Sequence, residues 1–152
     1  MLSGLRLGVA DAGYAFGVER PRLTLPGWPE AFDGFRIAIL ADLHFGALAR
    51  AGYVREVFAA AAGLDADLIV LLGDMVDRSP PLRPHLARLA GGLADRAPLL
   101  AVWGNHEYYN GPGRFAAGLA AAGADVLVNR ARLLQRRQAT VAMIGLDDLR
   151  LG

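Results

Sequence analysis

Short apolar runs recur along the chain, and between them apolar positions return at helical spacing. The run over 35–41 is continuously apolar after Arg36, the pattern of a strand covered on both faces in a parallel sheet. A helix over 51–62 follows, with Val54, Val57, Phe58 and Ala61 on one face and Gly63 as its stop. The second strand is 68–72. A helix over 82–94 then carries Leu82, Leu86, Leu89 and Leu93 on one side, with Ser79 as its cap and prolines at its start. A third strand, 99–103, leads through a polar stretch into a helix over 112–122, opened by Pro112 and closed by Gly123. Asp125 to Val128 reads as a fourth strand. Leu133-Leu134 and Thr140 to Ile144 read as a hairpin turning at Arg136-Arg137-Gln138. Upstream, Arg22 to Leu25 alternates like a half-buried edge strand, and residues 1–16 suit a short helix. The alternation predicts an α/β fold with parallel pairing and right-handed crossovers.

Three of the strands end in polar residues that bind ligands elsewhere. Residues 36–41 run into Asp42-Leu43-His44, 68–72 into Gly73-Asp74, and 99–103 into Gly104-Asn105-His106-Glu107-Tyr108-Tyr109. In such a sheet ligands bind beyond the carboxyl ends of the strands, so all three tips fall at one place. An extended backbone would point Asp42 and His44 to the same side, where they could share a cation. Taken singly, Asp42 could cap a turn, His44 could be a surface residue, and Gly73-Asp74 could be an ordinary turn. Asp77 reads as a loop or cap residue near the site. Asn105 offers a neutral carbonyl ligand, and His106 titrates near neutrality. Glu107 could orient an imidazole or face solvent, and Tyr108 and Tyr109 could line a cleft or pack on the following helix. His85 lies between leucines on a helix and reads as structural.

Composition narrows the chemistry further. The 152 residues suffice for one domain with a real core, and 54% apolar content argues against disorder. There is no cysteine, so any metal site must use oxygen and imidazole. All sixteen basic residues are arginine, which removes lysine as a Schiff base or phosphate clamp. A net charge of +1 gives no reason to expect nucleic acid. Arg130, Arg132, Arg136 and Arg137 form a basic patch without interleaved aromatics, read here as a solvated turn. No apolar stretch approaches the roughly 20 residues of a membrane span, and Arg6, Asp11 and Glu19 break the N-terminus as a signal peptide.

Asp42-Leu43-His44, Gly73-Asp74 and Gly104-Asn105-His106-Glu107 resemble the D-x-H, G-D and G-N-H-[DE] motifs of the calcineurin-like metallophosphoesterase superfamily. The lead-in LPGWPEAFDGFRIAILADLHFG and GNHEYY look most like its bacterial subgroup of small, often membrane-associated phosphodiesterases. The resemblance implies a four-layer α/β/β/α sandwich with a two-metal centre. Asp42 and His44 would bind the first metal, Asp74 would bridge, Asn105 would bind the second, and His106 would be catalytic. It implies two divalent ions (Mn, Fe, Zn or Mg) and hydrolysis of a phosphate ester, lipid-linked in some of the subgroup, by an activated hydroxide.

The family's later Gly-His and Gly-His-x-His motifs are absent before Gly152. The expectation is therefore a lead-in at 1–34 and a metallophosphoesterase domain at 35–152 that lacks its C-terminal half. Apolar surface of the half-built second sheet should stand open, offering a route to self-association. A non-catalytic metal-binding or interaction fragment, and one half of a two-chain enzyme, are the competing expectations. The expected location is cytoplasmic or peripheral to the cytoplasmic membrane.

Overall fold

The computed structural model describes residues 8–10, 13–46, 48–109 and 111–152, with side chains from Phe16 onward. Two antiparallel strands, β1 (Gly8–Ala10) and β2 (Gly13–Ala15), open the chain. The helix expected over 1–16 is not formed at these residues, whose glycines weaken a helix and whose Val9 and Tyr14 favour extended backbone; residues 1–7, 11 and 12 lie outside the described set. The expected edge strand at Arg22 to Leu25 is also absent. Leu23 and Leu25 are exposed, and the flanking Pro21 and Pro26 supply no N–H for a ladder.

The core is a four-stranded parallel sheet of order β3-β4-β5-β6. Its strands are β3 (Ile37–Leu40), β4 (Leu68–Leu72), β5 (Leu99–Val102) and β6 (Ala124–Val126). Helices α1 (Ala51–Ala62), α2 (Arg83–Ala94) and α4 (Gly113–Ala121) connect them in the predicted order. The four-residue helix α3 (Asn105–Tyr108) interrupts the link after β5. Ser79 precedes a short 3-10 turn at Pro80–Leu82 and its side chain makes no capping bond, contrary to expectation. The hairpin is longer than its apolar residues suggested: β7 (Arg130–Arg136) pairs with β8 (Ala139–Gly145) around the expected turn.

Alternation on the strands sorts the core. Ala38, Leu40, Ile69, Leu71, Leu99 and Ala101 face Val54, Phe58, Leu86, Leu93, Phe115 and Leu119 of the helices. On the other face Leu68, Val70, Leu100 and Leu127 pack against Phe35, Leu134 and Met143, the last two from the hairpin. The hairpin covers only part of that face. Ile39 is 60% and Leu72 50% exposed, so β3 alternates between buried and open instead of being covered on both sides. The helix layer, the parallel sheet and the hairpin are thus three stacked tiers, and the open apolar face expected from the sequence is present.

Candidate metal centre

Beyond the C-terminal ends of β3 and β4 the two loops run side by side. Asp42 N–H donates to the Gly73 carbonyl (3.1 Å), His44 N–H to that of Asp74 (2.9 Å) and Phe45 N–H to that of Met75 (3.1 Å). Asp42, His44 and Asp74 hold φ of 53°, 46° and 50°, the left-handed region that costs a non-glycine residue of order 1–3 kcal/mol. The extended dipeptide expected at Asp42-x-His44 is therefore wrong, yet the side chains still meet. Ligand atoms of Asp42, His44 and Asp74 lie within 4.8 Å of one another. His44 Nε2 stands 3.9 Å from Asp74 Oδ2.

The glycines of the second and third motifs make this approach possible. A Cβ on Gly73 would fall 2.6 Å from the Gly104 nitrogen, and one on Gly104 would collide with the Asp74 carboxylate. The β4 and β5 tips can close on each other only with hydrogen at both positions. That contact brings the third motif in. His106 N–H donates to Asp74 Oδ1 at 2.9 Å, and the His106 and His44 rings meet edge to face at 4.4 Å. Asn105 opens α3 beside His106; its amide nitrogen donates to the Tyr109 hydroxyl (2.8 Å), which leaves the carbonyl oxygen out of that bond.

Asp77, read from the sequence as a loop residue, stands at the mouth with Oδ1 3.2 Å from His106 Nδ1. The Arg78 backbone N–H, with His106 and His44 adding to it, holds its carboxyl below the ordinary range. His44, Asp77 and His106 form a second group with ligand atoms within 4.8 Å. Its signal in the sequence is the buried pair Met75-Val76, which carries the chain from Asp74 to Asp77 without leaving the site.

Glu107 neither faces solvent nor orients an imidazole. It is completely buried, and its carboxylate accepts the N–H groups of Asp74, Met75 and Gly104, each at 2.9 Å. Burial pushes this carboxyl up, against the pull of those three donors. Buried Arg83 completes the knot from α2, donating to the carbonyls of Glu107 (2.9 Å) and Gly111 (2.7 Å). Tyr109 lies edge-on to the His106 ring with the Arg78 guanidinium 4.3 Å from its centroid, so it lines the mouth. Tyr108 packs inward and donates to Asp147. His85 stands off the site against Phe45, as a structural residue would.

The donors suit a hard or borderline divalent cation: two carboxylates and an imidazole, none of them sulfur. The ring nitrogen that faces the Asp74 carboxylate is His44 Nε2, while Nδ1 is buried and makes no hydrogen bond among the described residues.

A sequence profile of calcineurin-like phosphoesterases matches residues 35–134. The chain belongs to the calcineurin-like phosphoesterase family. A transmembrane protein with metallophosphoesterase domain from Danio rerio is 27% identical over 147 residues, covering 93% of this chain and 33% of that protein. The phosphodiesterase YaeI of Escherichia coli K12 is 30% identical over 122 residues, covering 78% of this chain and 45% of YaeI. A solved phosphopantetheinyl hydrolase, PptH of Mycobacterium tuberculosis, superposes with a TM-score of 0.48 at 17% identity over 72% of this chain and 41% of that one. The chain thus spans between a third and a half of the length of these curated relatives. Like other calcineurin-like phosphoesterases, it carries residues able to hold divalent metal, grouped around Asp42, His44, Asp74, Asp77 and His106. None of the helices among the described residues is long and apolar enough to cross a membrane.

Proposed function

We propose that the chain carries the first half of a phosphodiesterase centre, with a two-metal site built on its strand tips. The observation that carries this reading is the meeting of Asp42, His44 and Asp74 within 4.8 Å, beside His106. Asp42 and His44 would hold one cation, the Asn105 carbonyl would serve the other, and Asp74 would be shared between them. Divalent cations in such a site neutralise phosphate charge and lower the pKa of water towards about 7.

The chain's own groups do the rest. Asp77 Oδ1 lies 3.2 Å from Nδ1 of His106 and orients the ring, leaving Nε2 to stabilise charge on a phosphate oxygen or to protonate the departing one. Asp74 positions the same residue by accepting its backbone N–H. Tyr109 and Arg78 border the entrance, where a guanidinium favours an anionic ester. The substrate class is a phosphodiester or a lipid-linked phosphate, a choice supported by the phosphodiesterase among the relatives and by another named as a transmembrane protein. Work at the cytoplasmic face of a membrane suits the second choice.

Hydrolysis of bis(p-nitrophenyl) phosphate by the purified chain in Mn2+ tests the reading. His106→Ala should keep Mn2+ binding and lose at least about a hundredfold in rate; an unchanged rate would refute the assignment. A non-catalytic module that pairs through the open sheet face is the second reading, favoured by exposed Ile39 and Leu72. Metal binding without turnover, together with a dimer in sedimentation, would select it.

A further inference from the structure

The strand tips carry two ligand sets that differ in chemistry. Asp42, His44 and Asp74 set two carboxylates beside one imidazole; His44, Asp77 and His106 set two imidazoles beside one carboxylate. The sets have His44 in common and differ in exposure. Asp42 is exposed, whereas the side chains of His44, Asp77 and His106 are only 20%, 21% and 21% accessible.

Backbone bonds place the imidazole-rich set before any ion arrives. Asp77 N–H donates to the carbonyl of Phe45 (3.1 Å), the neighbour of His44, and His44 N–H donates to that of Asp74 (2.9 Å). His106 N–H is held by Asp74 Oδ1 at 2.9 Å. Asp77 Oδ1 stands 3.2 Å from His106 Nδ1, yet that nitrogen is buried and makes no hydrogen bond among the described residues. A buried nitrogen beside a carboxylate, with no hydrogen bond between them, is a pair that a shared cation would satisfy. Tetrahedral Zn2+, with bonds of about 2.0–2.1 Å, keeps its ligand atoms about 3.4 Å apart. Asp77 and His106 are already near that spacing. The widest separation in the set is within 4.8 Å, and side-chain rotation can close the remainder.

Donor type decides which ion each set prefers. Carboxylates suit Mn2+ and Mg2+, and imidazoles suit Zn2+. A neutral imidazole has one lone pair to give, so His44 serves one set at a time.

We propose that His44, Asp77 and His106 form an alternative Zn2+ site, whose occupation excludes a cation from Asp42, His44 and Asp74. Three protein ligands leave the fourth position of the ion to water. The binding stands apart from any hydrolysis. Its consequence rests on the reading proposed above: an ion held here withdraws both His44 and His106 from the centre and inhibits it.

Titration of the EDTA-treated, 15N-labelled chain with Zn2+ tests the site. The chain has three histidines, so NMR of the imidazole nitrogens reads each one. Zn2+ should shift His44 and His106 and leave His85 in place. In calorimetry Asp77→Asn and His106→Ala should each weaken Zn2+ at least about tenfold, and Asp42→Asn less than about threefold. For Mn2+, followed by electron paramagnetic resonance, the order reverses: D42N weakens binding and D77N does not. A variant that merely unfolds loses both ions and is recognised by that. Zn2+ should also expel Mn2+ from the wild-type chain. Zn2+ affinity that falls in D42N but holds in D77N, a shift at His44 without one at His106, or simultaneous binding of both ions would overturn the proposal. A chain that binds Zn2+ as described but no Mn2+ would refute the carboxylate-rich set and uphold this one.

Discussion

Replacing Glu107 by alanine should be among the most damaging single changes in this chain. The side chain is fully buried and ties three backbone donors from two loops: Asp74 and Met75 after β4, and Gly104 after β5. Alanine leaves all three N–H groups without their acceptor, at about 1–3 kcal/mol each for a buried donor. Two effects offset part of that sum. Burial of the carboxylate, which pushes its pKa up, no longer opposes folding, and water can enter the space vacated. A net loss of about 3–5 kcal/mol remains, a large share of the roughly 5–15 kcal/mol of a typical domain. Urea unfolding followed by circular dichroism reads it, with unchanged slope as the sign that compactness is kept. Glu107→Gln retains one oxygen that can serve two of the three donors and should recover about half of the loss. A loss below about 1 kcal/mol for the alanine variant would show that the carboxylate is not what joins the two loops.

Other expectations follow from the same geometry. Gly104→Ala drives a methyl group into Asp74 and should cost about 2 kcal/mol or more while weakening divalent-metal binding, read by thermal unfolding and by Mn2+ titration. Ile39→Lys, at a position 60% exposed, should change stability by less than about 1 kcal/mol. Its neighbour Leu40→Ala, 6% exposed, should cost about 2–5 kcal/mol; comparable losses at both would refute the one-sided burial of β3. Burial, reinforced by the Asp147 carboxylate, pushes the Tyr108 phenol up to about 12. Because the folded value lies above the ordinary one near 10, the stability held in that phenol is complete below about pH 10 and is lost as pH rises towards 12. Absorbance titration at 295 nm should show a late tyrosine that Tyr108→Phe removes, and a titration without a step above about 11 would contradict the contact.

The sequence was most informative where one physical signal dominated. Helix α1 ends where Gly63 predicted, and the parallel strands follow from apolar runs with polar tips. Failures came where tertiary contacts overrode the local pattern. An apolar run cannot say whether both its faces are covered, so Ile37 and Ile39 read like Ala38 and Leu40 although they stand open. Asp42 and His44 converge through left-handed backbone held by bonds to Gly73 and Asp74, which a dipeptide spacing does not encode. Glu107 looked like a polar residue beside a ligand, but its partners are main-chain N–H groups some thirty residues earlier. Asp77 lay outside the motifs, and only the path of Met75-Val76 returns it to His106.

Binding of Mn2+ by the purified chain and by Asp74→Asn, followed by electron paramagnetic resonance, tests the central reading most directly. Asp74 stands with Asp42 and His44 and also holds the His106 backbone, so its charge should be indispensable. The expected result is Mn2+ binding by the wild-type chain that falls at least about tenfold in D74N while unfolding stays cooperative. Equal binding by both proteins would mean that the three strand tips meet without forming a metal centre.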